Sequence, residues 1–132
     1  MDKAGNQPPA AAPGPDRILQ LLRQFRFRYC TERELQEGVG EALWTSDIPF
    51  EREYRLPGSA GRIDFFLQAQ CLGIEIKVQG GHSDVARQMH RYALCPKIKS
   101  LILLTTRKKH EALQGTINGK TLDVVSLWLQ AM

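Results

Sequence analysis

Apolar and polar residues alternate in two neighbouring segments near the middle of the chain, residues 62–67 and 72–78. Such alternation is typical of β-strands, whose successive side chains point to opposite faces. In the second segment Glu75 and Lys77 fall on the face opposite the apolar residues, and in the first segment Asp64 does the same. The residues expected to share the apolar face of the first segment are Ile63, Phe65 and Leu67. The pattern therefore predicts two strands that carry charged residues on one side.

The remaining elements follow from helical periodicity and from turn residues. The predicted elements are a helix over 17–27, a helix from Thr31, strands over 50–56, 98–104 and 121–127, and a helix from Ser83 to Pro96. The turn at 57–61 should make its flanking strands antiparallel, whereas the helical crossover should make strand 98–104 parallel to the Glu75 strand. A further turn is predicted at Asn118-Gly119. The sequence thus predicts an α/β fold with a mixed central sheet flanked by helices, in the order αβββαβ.

Three residues are expected to cap the predicted helices. Asp16 and Ser83 have side chains that accept hydrogen bonds from free helical N–H groups, so they are expected to begin the first and third helices. Thr31 is followed three residues later by Glu34, which is the pattern of a capping box. Each of these three helices therefore has a candidate starting point in the sequence.

Length and composition indicate one domain with a basic balance. The chain has 132 residues, a formal net charge of +4 and 42% hydrophobic residues, which is enough for a core. Residues 1–15 are rich in Pro, Ala and Gly and are expected to form a disordered tail, with a single domain over 16–132. A basic balance is compatible with nucleic acid, although an ordinary basic domain would account for it equally well.

The cysteines indicate which metal sites and which cellular compartment to expect, and the lengths of the apolar segments bear on membrane insertion. The three cysteines, Cys30, Cys71 and Cys95, contain no C-x-x-C pair, which argues against zinc and iron–sulfur sites and favours a reducing, cytoplasmic setting. No long apolar run or signal peptide is present, so neither membrane insertion nor export is expected.

The charged residues of the two central strands are the candidate site. If the strands pair, Asp64, Glu75 and Lys77 converge on one patch, and charges within apolar strands are costly unless they are paired or bind a metal. Two carboxylates that repel each other favour a divalent cation, and a lysine beside them can hold an anionic substrate. The alternative interpretation is a structural salt bridge across two strands.

The spacing of these residues resembles a known signature. Asp64, followed about ten residues later by Glu75-Ile76-Lys77, is similar to the motif of the PD-(D/E)XK nuclease superfamily, although Ile63 stands in place of the motif's proline. Gln88 and Tyr92 resemble the Q-x-x-x-Y motif of the RecB-like and lambda-exonuclease-like branch. With the acidic helix and the order of elements, the resemblance covers residues 31–105.

The resemblance implies a restriction-endonuclease-like core and a Mg²⁺ site, with Mn²⁺ as a possible substitute. The implied ligands are Asp64, Glu75, the backbone carbonyl of Ile76 and a glutamate of the preceding helix. Glu32 is the preferred glutamate because it shares the helix side of the apolar residues, and Glu37 is the second choice. Lys77 would stabilise charge on the phosphate or orient the attacking water.

Several residues around this centre are candidates for contact with DNA. By resemblance, Gln88 and Tyr92 line the site and contact the DNA strand; the alternative is that Tyr92 belongs to the core and Gln88 to the helix surface. The other candidate contacts are Arg62, His82, Arg87 and Arg91. The remaining histidines, His90 and His110, are expected at the surface.

The sequence therefore predicts a Mg²⁺-dependent DNA nuclease, in the setting of phage or mobile-element replication, recombination or repair and in the cytoplasm of a bacterial or phage-infected host cell. Two alternatives stay open: a Holliday-junction resolvase-like endonuclease, which would act as a dimer, and a non-catalytic DNA-binding module on a nuclease fold. The sequence leaves undecided exonuclease or endonuclease action, DNA or RNA, one or two metal ions, and the homo-oligomeric state.

Overall fold

The computed structural model describes residues 12–28 and 31–128, which form helices packed on both faces of one sheet. In chain order the elements are α1 (Pro15–Gln24), α2 (Glu32–Thr45), β1 (Glu51–Leu56), β2 (Gly61–Leu67), β3 (Leu72–Lys77), α3 (His82–Leu94), β4 (Ser100–Thr105), a 3₁₀ helix (Lys108–Leu113), β5 (Gly115–Ile117) and β6 (Lys120–Ser126). The segment from α2 to β4 has the predicted order of helix, three strands, helix and strand. The 3₁₀ helix and β5 were not predicted.

The sheet is mixed, as predicted, and its spatial order is β1-β2-β3-β4-β6-β5. The β1–β2 and β2–β3 pairs are antiparallel, whereas β3–β4 and β4–β6 are parallel. The short β5 closes an antiparallel hairpin with β6. Asn118 and Gly119 form its turn with φ of 50° and 75°, a left-handed conformation that Asn and Gly tolerate best.

Two apolar clusters hold the layers together, one on each face of the sheet. The first cluster joins α1 and α2 to one face through residues such as Leu22, Leu35, Ile74 and Ile102. The second cluster joins α3 to the other face through residues such as Met89, Phe66, Leu103 and Val124. Because β3 and β4 are covered on both sides, nearly every residue of both strands is buried rather than every second one, as expected for strands with helices on both faces.

The capping box of α2 is confirmed, while the other two predicted caps are wrong. Thr31 N–H donates to Glu34 Oε1 and Glu34 N–H donates to Thr31 Oγ1, both at 3.1 Å. The N-cap of α1 is Gly14 rather than Asp16, because Pro15 can occupy the first helical position without losing a needed hydrogen bond. The N-cap of α3 is Gly81 rather than Ser83, and this helix ends at Leu94.

The predicted N-terminal tail lies mostly outside the described residues, as does Cys30. Just before α1, the carbonyl of Pro13 accepts a hydrogen bond of 2.7 Å from Gln70 Nε2. Among the described residues, no helix combines the length and the apolar character that crossing a membrane requires.

The expected alternation along β2 is broken at Asp64. Ile63 belongs to the α3-side cluster, whereas Phe65 belongs to the cluster on the α2 side, so the prediction that they share a face is wrong. The β1–β2 pairs run Arg52↔Phe65 and then Tyr54↔Ile63, stepping over the residues between them. The interruption coincides with Glu53, which stands opposite Asp64 and has a left-handed φ of 49°, and the register of the ladder is the same on both sides of it.

Gly73 occupies a position in β3 where no side chain fits. A Cβ there would collide with Ile63 and lie 3.1 Å from methyl groups of Ile98 and Leu101. Gly40, inside α2, differs because its added Cβ would meet Phe50 and Phe65 at 3.8 Å, which is ordinary contact.

We expect Gly73→Ala to lower the free energy of unfolding by about 1–3 kcal/mol through overpacking. The matched control, Gly40→Ala, should raise it by about 0.5–1 kcal/mol because alanine favours the helix. Chemical denaturation of both variants measures the difference. Equal stability of the two variants would contradict the close approach at Gly73.

Candidate functional site

The candidate site lies where the β2–β3 ladder stops. Backbone pairing of these strands covers Leu67↔Leu72 to Phe65↔Ile74. One step further, Asp64 N–H donates to Glu75 Oε1 at 3.2 Å, and Ile76 N–H donates to Asp64 Oδ2 at 2.8 Å. Each carboxylate therefore takes a backbone donor from the opposite strand, and the two acids are held together at the point where the strands part.

Lys77 is the third of the charged residues that the sequence predicts to lie together in the candidate site. Its Nζ lies 3.3 Å from Glu75 Oε2, and its side chain keeps 24% exposure whereas Glu75 keeps 4%. The ammonium thus stands at the rim of the site and the carboxylate beneath it. The predicted convergence of Asp64, Glu75 and Lys77 is confirmed as geometry.

Burial disfavours the ionised form of both carboxyl groups. Burial raises the pKa of Asp64 to about 6, with the charge of Glu32 adding to the effect and the Ile76 hydrogen bond opposing it. Burial also raises the pKa of Glu75 to about 7, with the charge of Asp64 as the next cause and Lys77 opposing. One cation, Lys77, therefore does not compensate for two buried anions.

Gln88 and Tyr92, one helical turn apart on α3, form one hydrogen-bonded unit. Gln88 Nε2 donates to Tyr92 Oη at 2.8 Å, and Tyr92 Oη lies 2.8 Å from the carbonyl of Arg62 and 3.2 Å from Glu75 Oε1. The single phenolic proton is shared between these two acceptors, and burial raises the pKa of Tyr92, with the charge of Glu75 as the second cause. Tyr92 is only 1% exposed, so in this structure its hydroxyl faces Glu75 rather than solvent.

Glu32 is the helix glutamate that reaches the sheet. Its Oε1 accepts from Val78 N–H at 3.4 Å, directly after β3, and its charge contributes to the raised pKa of Asp64. Glu37, the second choice, points to solvent with 61% exposure and pairs with Arg33 at 3.8 Å. Glu32 thus lies beside the central acids and Glu37 does not.

The arginines among the candidate DNA contacts lie at the surface. Arg62 is exposed and pairs with Glu53 at 3.5 Å, while Arg87 pairs with Asp84 within α3. Arg91 is exposed at the side of α3 and lines a surface cavity with the β1–β2 turn. These positions are compatible with phosphate contacts, but the structure gives the arginines of α3 no link to the central acids.

The histidines differ in exposure, and one of them does not lie where the sequence predicted. His90 and His82 are exposed, but the prediction that His110 is a surface residue is wrong because it is fully buried in the 3₁₀ helix. The ring of His82 stacks on His110 at 6.2 Å between centroids. Burial lowers the pKa of His110, the charge of Lys109 adds to this shift, and the backbone of Gly80 opposes it.

Glu53 is a feature of the site that sequence reasoning missed. Its charge also raises the pKa of Asp64, which it faces across the break in the β1–β2 ladder. A glutamate in an exposed strand gives no sequence signal of a left-handed backbone, because that conformation is imposed by the fold around it.

The oxygen ligands for a metal are present but not closed into a cage. Within residues 12–28 and 31–128, no three His, Cys, Asp or Glu side chains are already arranged around a common metal position. Mg²⁺ keeps several waters and is usually held by one or two carboxylates plus substrate phosphates. Half-buried Asp64 and buried Glu75 together meet this requirement for oxygen ligands and negative charge.

The raised pKa values predict a stability that falls with pH. Asp64 and Glu75 rise from ordinary values of 3.8 and 4.5 to about 6 and about 7, so the folded chain holds more protons than the unfolded chain in that window. The free energy of unfolding should therefore fall as pH rises from about 4 to 8. Asp64→Asn should be more stable than wild type at pH 8 by about 1–3 kcal/mol and equal to it near pH 4.

Urea denaturation in EDTA at both pH values measures this difference, with the exposed Asp47→Asn as control. An Asp64→Asn variant no more stable than wild type at pH 8 would show that the acids are not held under repulsion.

Comparison with known proteins adds no relative. No family model matches the chain, and no curated protein or solved structure matches it significantly. The resemblance to the PD-(D/E)XK nucleases therefore stays a prediction from the sequence, and function has to be argued from the residues of the site.

Proposed function

We propose that this chain is a divalent-cation-dependent nuclease that hydrolyses DNA phosphodiester bonds on a restriction-endonuclease-like core. The observation that carries the proposal is the contact of Asp64 and Glu75 across two parting strands, with Lys77 at the rim. Buried acids with raised pKa values and a nearby cation, at a break in regular structure, are typical of functional sites rather than of structural ion pairs. The helix–three strands–helix–strand order supports the proposed core.

The chemistry of the site fits a hard cation such as Mg²⁺ or Mn²⁺. Asp64 and Glu75 would hold it, with Glu32 and the carbonyl of Ile76 as the further oxygen donors named by the family resemblance. When bound, such an ion supplies a more acidic water and stabilises negative charge on phosphate oxygens. Burial, with the charges of neighbouring acids as a further cause, raises the two pKa values, and a bound cation would stabilise the ionised forms, which favours a cation over a structural salt bridge.

Lys77 has the placement of an electrostatic stabiliser. Its ammonium is held at 3.3 Å from Glu75 and remains partly exposed, so a substrate phosphate can reach it. Its direct contact with the Glu75 carboxylate makes charge stabilisation a better role for Lys77 than proton abstraction. A fixed cation next to the scissile phosphate would instead stabilise the additional charge of the transition state.

Tyr92 and Gln88 support the proposal as positioning residues for Glu75. Tyr92 bridges the backbone of β2, at Arg62, to the carboxylate of β3, while Gln88 fixes the phenol from one turn earlier. This bridge spans the gap that the missing backbone pairs leave between the strands. It would keep Glu75 in place after its proton has left.

The activity test uses linear duplex, single-stranded, circular and four-way-junction DNA with Mg²⁺, Mn²⁺ or EDTA. We expect cleavage that requires the cation, and a loss of about 100-fold or more in Lys77→Ala because a charge at the reacting phosphate is removed. Lys99→Ala is the matched control, since Lys99 is exposed and precedes β4 at the opposite end of the sheet from Lys77.

Asp64→Ala and Glu75→Ala should also abolish cleavage while leaving much of the DNA binding. Absence of cation-dependent cleavage on all four DNA forms, or cleavage undiminished in Lys77→Ala, would overturn the proposed function. Preference for the four-way junction together with a dimer in solution would identify a resolvase-like enzyme.

Tyr92→Phe separates positioning from DNA contact. The variant keeps the buried ring and loses only the hydroxyl, so we expect kcat to fall about 10-fold or more, with KM for DNA nearly unchanged. Tyr54→Phe, a partly exposed tyrosine stacked on Phe66, is the control. Steady-state kinetics decide the point: a raised KM with unchanged kcat would instead mean that the hydroxyl contacts substrate.

A further inference from the structure

An open cavity of about 490 Å³ lies between α2 and β1. Its lining is entirely polar, and the residues are Arg33, Gln36, Glu37, Arg52 and Glu53. None of these was a candidate DNA contact from the sequence, so the cavity is a feature that only the folded chain makes visible.

Both walls of the cavity carry a residue that neighbours the acid site. On the α2 wall, Gln36 lies one helical turn after Glu32, which bonds to the end of β3. On the β1 wall, Glu53 lies next to Asp64 and adds to the charge that raises its pKa. A chain-like ligand bound at the acids could therefore continue into this cavity without a break.

The left-handed Glu53 is what turns Arg52 towards α2. Arg52 lies over the ring of Phe65, at 5.4 Å from its centroid, on the α2 side of the sheet, whereas Tyr54 packs on the α3 side. In a regular strand, residues two apart share a face, so Arg52 would lie on the α3 side with Tyr54. The strained backbone therefore places a guanidinium in the cavity.

The cations of this region are only loosely engaged. Arg33 pairs with Glu37 at 3.8 Å, and Arg62 pairs with Glu53 at 3.5 Å, with all four side chains more than half exposed. Exposed pairs of this kind contribute little and exchange readily for a better anion. Among the described residues, Arg52 has no carboxylate within salt-bridge distance, and its planar fork suits a phosphate.

We propose that this cavity is a phosphate-binding subsite, in which the sugar–phosphate backbone of the substrate strand continues from the acid site, with Arg52 as the main contact. Arg33 and Arg62 flank it and exchange their glutamates for phosphates. The inference rests on the proposed function and adds to it the route of the strand. Because phosphate contacts carry no base information, the subsite binds strands independently of sequence.

The test is binding of fluorescein-labelled single-stranded and duplex oligonucleotides to the full chain in EDTA, followed by anisotropy over a salt series. For Arg52→Gln we expect affinity to fall several-fold at low salt and the slope of log K against log salt to fall by about 0.7–0.9, which is one phosphate contact. Arg52→Lys should retain the slope because it retains the charge. Arg33→Gln should lower the slope by less than Arg52→Gln.

Two further variants make the result specific. Arg17→Gln, in the first turn of α1, is the matched control and should bind as wild type does. Arg87→Gln tests the competing surface on α3. Circular dichroism of each variant confirms that the fold is retained.

Each outcome decides the proposal. Wild-type protein that binds neither oligonucleotide would overturn the proposed function and this subsite together. Wild-type binding with an unchanged slope in Arg52→Gln, or a larger loss in Arg87→Gln than in Arg52→Gln, would overturn the subsite and leave the proposed function standing.

Discussion

The structure of the candidate site depends on one exchange of hydrogen bonds between two strands. A carboxylate takes the place of a backbone carbonyl as the acceptor on each strand. Glu75 accepts from the N–H of Asp64, and Asp64 accepts from the N–H of Ile76. Without these bonds, the parting of β2 and β3 would leave buried N–H groups unpaired, which is costly. Each carboxylate therefore serves the backbone with one oxygen, while Glu75 Oε2 contacts Lys77. This arrangement explains how two acids of like charge persist in a sheet whose surroundings are apolar.

The arrangement also makes the site less stable than an apolar alternative would be. Buried acids with raised pKa values are held against their own repulsion by the packing of α2 and α3 on either side. Sites that perform chemistry often contain such local conflicts, whereas purely structural positions rarely do. Gly73, two residues before Glu75, is closely surrounded by methyl groups of Ile63, Ile98 and Leu101, so β3 is tightly packed next to the site.

Local patterns in the sequence predicted the elements and the centre well. The Thr31–Glu34 box, the hairpin after β1 and the alternation of Glu75 and Lys77 in β3 are each set by neighbouring residues, and each is confirmed. What failed depends on distant contacts. Ile63 lies on the unexpected face at the point where Glu53, on the neighbouring strand, adopts a left-handed backbone that its residue type does not predict. His110 is buried because the 3₁₀ helix packs against β6. Arg52 could not be assigned to a face without knowing the first of these.

The capping box of α2 sets the rotation of that helix and not only its start. Successive residues of an α-helix are about 100° apart around the axis, so a helix that began one residue later would turn Glu32 away from the end of β3. The capping box of Thr31 and Glu34 fixes the first turn of α2. Because Glu32 lies within this turn, its side chain is held in the direction of the sheet. Residues 31–34 should therefore tolerate substitution by other capping residues. An insertion or deletion among them should not be tolerated, because it would rotate the side chains of α2 relative to the sheet.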